Sequence, residues 1–128
     1  MSFLTKEGLL GRQSNFIIKK VELKDGHVFV REMSGYARNI FETSLIKMDT
    51  ISGKVDASGM AHMDMANMKS KYAVMVLCDE KGNLLFTIEE ATELGKSLSA
   101  SELDTIVEVA DSINNVFSQK NKDGVVKN

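Results

Sequence analysis

Two runs of β-branched and apolar residues, Phe16–Leu23 and His27–Met33, lie on either side of Lys24-Asp25-Gly26. Asp-Gly between two such runs is a strong local signal for a hairpin, because a type I′ turn needs positive φ at both central positions. The second run leads directly into Ser34. A serine there predicts an N-cap for a helix over Gly35–Lys47, with Tyr36, Ile40, Phe41, Ser44 and Leu45 along one side. Strand, turn, strand and helix are thus set locally, and the rest of the chain must pack around them.

Neither strand of the hairpin alternates cleanly. Ile17, Val21 and Leu23 share one parity with Lys19, while Phe16 and Ile18 share the other with Lys20 and Glu22. In the second strand Val28 and Val30 point opposite to Phe29, Arg31 and Met33. Apolar residues on both faces imply two partly covered faces. One face can meet the chain's own helices and the other a partner.

Ala61 to Cys78 carries Ala61, Met65, Met68, Tyr72, Met75 and Val76 at helical spacing, so a helix is expected there. Met63, Ala66, Ala73 and Leu77 widen the stripe until its C-terminal half is apolar nearly all round. Five of the eight methionines (Met60, Met63, Met65, Met68 and Met75) fall in or beside this stretch. Methionine fills irregular core gaps and also suits adaptable binding surfaces. Both uses stay open for Met63, Met65 and Met68. Asp79–Asn83 reads as a turn and Leu84-Leu85-Phe86 as a short extended segment. Thr87-Ile88-Glu89-Glu90 is a capping box, opening a short helix to Leu94 with Gly95 as its stop. Ser99-Ala100-Ser101-Glu102 is a second box. It opens a longer helix striped by Leu103, Ile106, Val107, Ala110, Ile113 and Phe117.

The pieces outside these elements are rich in Gly, Ser, Asp, Asn and Lys. Residues 48–59 read as a loop of about a dozen residues. The expected organisation is a flexible N-terminal segment (1–15), one α+β domain (16–117), and a flexible C-terminal tail (118–128). The domain holds one β-hairpin packed with about four helices.

The balance of 16 basic against 18 acidic residues leaves a net charge of −2 with no basic cluster. Nucleic-acid binding is not expected, since it needs a concentrated cationic face to displace counterions from phosphate. The longest apolar run, Ala73–Cys78, is far short of the roughly 20 residues that span a bilayer, so no membrane role is expected. Met1–Gly11 lacks the basic start and apolar core of a signal peptide, which fits an intracellular protein. A single cysteine, Cys78, excludes an intrachain disulfide.

Catalytic and cofactor patterns fail one by one. Asp79 to Glu90 has the length of a calcium loop, but Lys81 stands where a ligand oxygen belongs and Leu84 where glycine makes the turn. Cys78 with His27 or His62 makes a weak nucleophile pair, because a cysteine ending an apolar stretch usually acts as a small hydrophobe. Two separated histidines make a poor metal site. No phosphate loop or nucleophile elbow is present. The expectation is a protein without catalytic residues, cofactor or metal.

Two segments together carry a resemblance. Val28-Phe29-Val30-Arg31-Glu32-Met33-Ser34-Gly35-Tyr36-Ala37-Arg38 leads into Phe41-Glu42, and Leu77-Cys78-Asp79-Glu80-Lys81-Gly82-Asn83-Leu84-Leu85-Phe86 follows later. Their order and spacing, with a short helix and then a longer one ending near Asn114-Asn115, resemble the tail assembly chaperones of long-tailed bacteriophages across residues 16–117. The resemblance implies a non-enzymatic protein of the host cytoplasm, absent from the mature virion. It implies binding to the long helical tape measure protein, kept soluble for tail-tube assembly. Many such proteins occur in a short form and a frameshifted longer form, and this chain would match the short one. Self-association is expected, with Phe29, Val30, Arg31 and the termini as oligomer contacts. A tail structural or completion protein and a small protein-binding adaptor are the alternatives.

Overall fold

The structure is a computed structural model that describes residues 3–47, 62–63 and 67–117. β1 (Ile18–Glu22) and β2 (His27–Arg31) pair antiparallel, with Val21 opposite Val28 and Lys19 opposite Val30. The hairpin stands where the sequence places it, but its turn differs. Glu22 pairs with His27, so Leu23 to Gly26 form the loop, and the Leu23 N–H donates to the Gly26 carbonyl at 2.7 Å. Neither Asp25 nor Gly26 has positive φ. The type I′ turn is therefore absent, because the longer loop reverses the chain without left-handed residues.

α2 (Gly35–Ser44) begins as expected, with the Ala37 N–H donating to Ser34 Oγ at 3.0 Å. It buries Ala37 and Phe41, followed by Leu45, while Tyr36 turns away and is 78% exposed. The helix also stops earlier than predicted. Ile46–Lys47 form a short strand, β3, that pairs antiparallel with β4 (His62–Met63).

The helix expected over 61–78 is the largest correction. Its helical part is α3 (Met68–Val74), and Leu77–Cys78 form strand β5 on the far edge of β2. Phe29 pairs with Cys78 and Val30 with Leu77, and the Arg31 N–H donates to the Val76 carbonyl at 3.0 Å. A short apolar run suits a buried strand as well as a buried helix, and the available edge of β2 decides it. Leu84 bridges to Cys78, so the extended segment predicted after Asp79–Asn83 folds back beside β5.

Both capping boxes form. The Thr87 N–H donates to Glu90 Oε1 at 2.8 Å and opens a 3-10 turn (Ile88–Glu90) that leads into α4 (Ala91–Ser97). The Ser99 N–H donates to Glu102 Oε1 and the Glu102 N–H to Ser99 Oγ, each at 3.1 Å, at the start of α5 (Ala100–Asn114). Gly95 does not stop α4, which runs through it. A Cβ at Gly95 would collide with Ser70 Oγ on α3. The glycine is there for close approach of two helices.

α5 lies across β1 and β2, and α3 packs on α4 and α5. Val21, Val30, Phe41, Tyr72, Val74, Val76 and Ile106 fill the centre. α5 contributes Ile106, Val107 and Ala110 as expected, but the next buried position is Asp111. Asn114, at the end of α5, accepts from the Met33 N–H at 2.7 Å and donates to the Arg31 carbonyl at 3.3 Å. One side chain thus ties the longest helix to the end of β2. The fold is α+β, an antiparallel three-stranded sheet with α5 on one face and α3 packed against α5 and α4.

Ahead of the hairpin, where the sequence predicts no firm element, α1 (Lys6–Leu10) is capped by the Thr5 hydroxyl and followed by a 3-10 turn (Arg12–Asn15). The 48–59 loop, Met60, Met65 and the 118–128 tail lie outside the described residues.

Candidate partner-binding surface

Strand alternation and register place Val21, Val28, Val30 and Leu77 on the face that α5 covers. Phe16, Ile18, Lys20, Phe29, Arg31 and Cys78 fall on the other face. Cys78 is buried there, while Phe16, Ile18 and Phe29 are half-buried. None of these four belongs to the core cluster beneath the helices. This outer face is the second apolar surface implied by the mixed parity of the hairpin.

The expected contact residues divide on it. Phe29 lies on the outer face, with the His27 ring edge-on at 5.3 Å. Val30 is 0% exposed and belongs to the core, which corrects its assignment as an oligomer contact. Arg31 is already engaged within the chain. Its Nη1 donates to the Gly82 carbonyl at 2.8 Å, its Nε donates to the Glu32 carbonyl at 2.9 Å, and its guanidinium lies 4.6 Å over the Phe16 ring. It fastens the 79–83 turn to the sheet, a role that geometry rather than charge pattern reveals. Met68 is half-buried at the start of α3, beside a hollow of about 510 Å³ lined also by Leu98 and Leu103. Met63 is placed by its backbone in β4, and Met65 lies outside the described residues.

The turn fastened by Arg31 is itself well built. Asp79 Oδ1 accepts from the N–H groups of Lys81 (2.8 Å) and Asn83 (2.9 Å), and Oδ2 accepts from Asn83 Nδ2 at 3.1 Å. Those bonds, chiefly the ones from Asn83, hold the Asp79 carboxyl below the usual carboxylate range. Burial pushes the neighbouring Cys78 thiol up, and Asp79 adds to the rise against the pull of Arg31. A thiol kept protonated is a poor nucleophile. Among the described residues, no three His, Cys, Asp or Glu side chains gather in a way that would hold a metal ion.

Two further apolar surfaces are exposed, one beside α2 that the sequence reading missed and one at the N-terminus, which it counts among the oligomer contacts. Tyr36 and Ile40 on α2, with Ile88 opposite, line an open hollow of about 470 Å³ that includes Asn39, Thr43 and Ser44. Tyr36 belongs by spacing to the apolar side of α2 with Phe41, and only the packing of α3 shows that the helix turns Ala37 inward beside Phe41 and leaves Tyr36 out. The other is α1 with its preceding residues, where Phe3, Leu4, Leu9 and Leu10 are all exposed. Leu9-Leu10 between Gly8 and Gly11 was the available signal.

No model of a known protein family matches the chain, and no curated protein does. Among solved structures, the fold is similar to that of the tail assembly chaperone of bacteriophage HK97, with a TM-score of 0.53 and 20% sequence identity. The likeness covers 84% of this chain and 94% of that one. The two chains therefore share a fold.

Proposed function

We propose that this protein is a bacteriophage tail assembly chaperone. It binds the tape measure protein in the host cytoplasm, keeps that client soluble while the tail tube assembles, and leaves before the virion is complete. The observation that supports this reading most is the shared fold with the HK97 tail assembly chaperone over nearly all of that protein. The surface chemistry agrees with it. A long client with unburied apolar segments needs apolar surface that covers it reversibly. Phe29 and Ile18 on the open sheet face, and Tyr36, Ile40 and Ile88 beside α2, supply such surface without a deep enclosed pocket. The role is one of binding, and no side chain is assigned to catalysis.

Chaperone copies act together along the client, where avidity exceeds any single contact. A frameshifted longer form, where one is made, would join the same assemblies through this shared domain.

The test is co-expression with the long helical protein encoded beside this one, followed by affinity capture and sizing. The client becomes soluble only with this chain, and the two elute together. A client that stays insoluble, or elutes alone, overturns the reading. Stoichiometric amounts of this chain in purified virions would instead make it a structural tail component.

A further inference from the structure

We propose that a second copy of this chain pairs with the open edge of β1, antiparallel, about a two-fold axis at Val21. β1 is the outer strand of the sheet order β1-β2-β5. The Glu32 N–H donates to the Ile17 carbonyl and the Leu23 N–H to the Gly26 carbonyl. In an antiparallel ladder, bonded pairs alternate along the strand, so Ile17, Lys19, Val21 and Leu23 direct their backbone groups at β2. Ile18, Lys20 and Glu22 direct theirs outward. Among the described residues nothing accepts or donates to them. Such a row of amides and carbonyls is a template for another extended strand.

The side chains select what that strand is. Lys20 and Glu22 stand on the outer face, and Lys20 Nζ lies 3.5 Å from Glu22 Oε2. If two β1 strands pair about Lys20, the lysines face each other, and like charges directly opposite are destabilising. One register away, about Val21, Lys20 stands opposite the partner's Glu22 and Glu22 opposite the partner's Lys20. Four charges then alternate in sign around the axis. The remaining edge lysine, Lys19, is on the helix face and donates to Ser112 Oγ at 3.3 Å, so it is drawn back over its own α5. The charge pattern of β1 is thus complementary to itself in one register and repulsive in the next. The product is a continuous six-stranded antiparallel sheet with the apolar residues of both outer faces side by side.

The test uses the full chain without client, so its failure leaves client binding untouched and the two can be told apart. Amide hydrogen exchange is followed at rising protein concentration, with size from light scattering. Protection should appear at Ile18, Lys20 and Glu22 as the dimer forms. Lys20→Glu or Glu22→Lys alone should weaken association by about tenfold or more, because two attractive cross-strand pairs become repulsive. The double variant K20E/E22K restores the pattern with signs exchanged and should recover the dimer. Circular dichroism shows that each variant keeps the fold. Free exchange of these three amides at every concentration overturns the proposal. So does a double variant no better than the single ones. Protection that appears only when client is added assigns the edge to a client strand and overturns self-pairing.

Discussion

The Tyr72 hydroxyl donates to Asp111 Oδ1 at 2.8 Å inside the protein, joining α3 to α5 where the sequence shows only two apolar stripes. Asp111 also accepts from the N–H groups of Val116 (2.7 Å) and Phe117 (3.1 Å), just past the left-handed Asn115 that ends the helix. One carboxylate therefore closes the end of α5 and anchors the central aromatic, which is flanked at 5.3 Å by both Phe41 and Phe117.

Tyr72 makes stability sensitive to alkali. Burial first, and then the hydrogen bond to Asp111, push its phenol far above the ordinary value of 10.0. Below that value folded and unfolded chains hold the same proton, and the full stabilisation is present. Above it the unfolded chain loses the proton while the folded chain keeps it, so stability falls as pH rises. Urea unfolding between about pH 8 and about pH 11 should show this decline in the parent. Tyr72→Phe should be less stable by about 1 kcal/mol at neutral pH and should lose that share of the alkaline slope. Identical slopes would remove Tyr72 as the cause.

Gly95 and Ser70 should behave as one unit. Gly95→Ala places a methyl group against Ser70 Oγ, so the buried hydroxyl must turn away or α3 and α4 must part. Alanine is the better helix former, yet overpacking typically costs about 1–3 kcal/mol. Removing the opposing oxygen with Ser70→Ala should restore most of the loss, since the next atom, Ser70 Cβ, is 3.4 Å away. Thermal unfolding of the four proteins in the cycle checks this, and additive effects would show that the two residues do not meet.

The turn at 79–83 should loosen when Arg31 is replaced. Lysine keeps the charge, but it lacks the fork that reaches both the Gly82 and Glu32 carbonyls. Arg31→Lys should speed amide exchange at Lys81 and Asn83 while leaving α5 unchanged. Gly82→Ala should do the same at a cost of about 1–2 kcal/mol, because φ there is +92° and the new methyl would lie 3.2 Å from Ile18 Cδ1. Asp79 adds a pH signature. Its carboxyl is held low in the fold, so its support for the turn is present above the ordinary carboxylate range and is lost as pH falls through the folded value. Exchange at Lys81 and Asn83 should therefore rise more steeply in acid than at α5 amides.

What the sequence made legible follows from how local each signal is. Ser34, Thr87 and Ser99 act on backbone groups within three residues, and all three caps form where their spacing puts them. The hairpin was readable for the same reason. Leu77-Cys78 was not, because its conformation is decided by β2, which lies far off in sequence. Gly95 was misread as a stop since nothing local announces that Ser70 will lie against it. Arg31 looked like a surface charge for a partner, and only the folded position of Gly82 shows what it holds. Asp111 broke the apolar stripe of α5 without any sequence sign that Tyr72 would meet it.

Tyr36 and Val30 separate binding from folding. Tyr36 is exposed and outside the core, so Tyr36→Ser should change stability by no more than about 0.5 kcal/mol. Under the proposed function it should still reduce the client recovered in complex, because it strips the aromatic from the hollow shared with Ile40 and Ile88. Val30→Ala should do the reverse in kind. It removes methyl groups from a fully enclosed position and should cost about 2 kcal/mol, lowering client recovery only as far as the folded population falls. Co-expression yields, normalised to folded protein from unfolding curves, distinguish the two. Equal normalised recovery for Tyr36→Ser and the parent would take the α2 hollow out of client binding and leave the open sheet face as the surface to test.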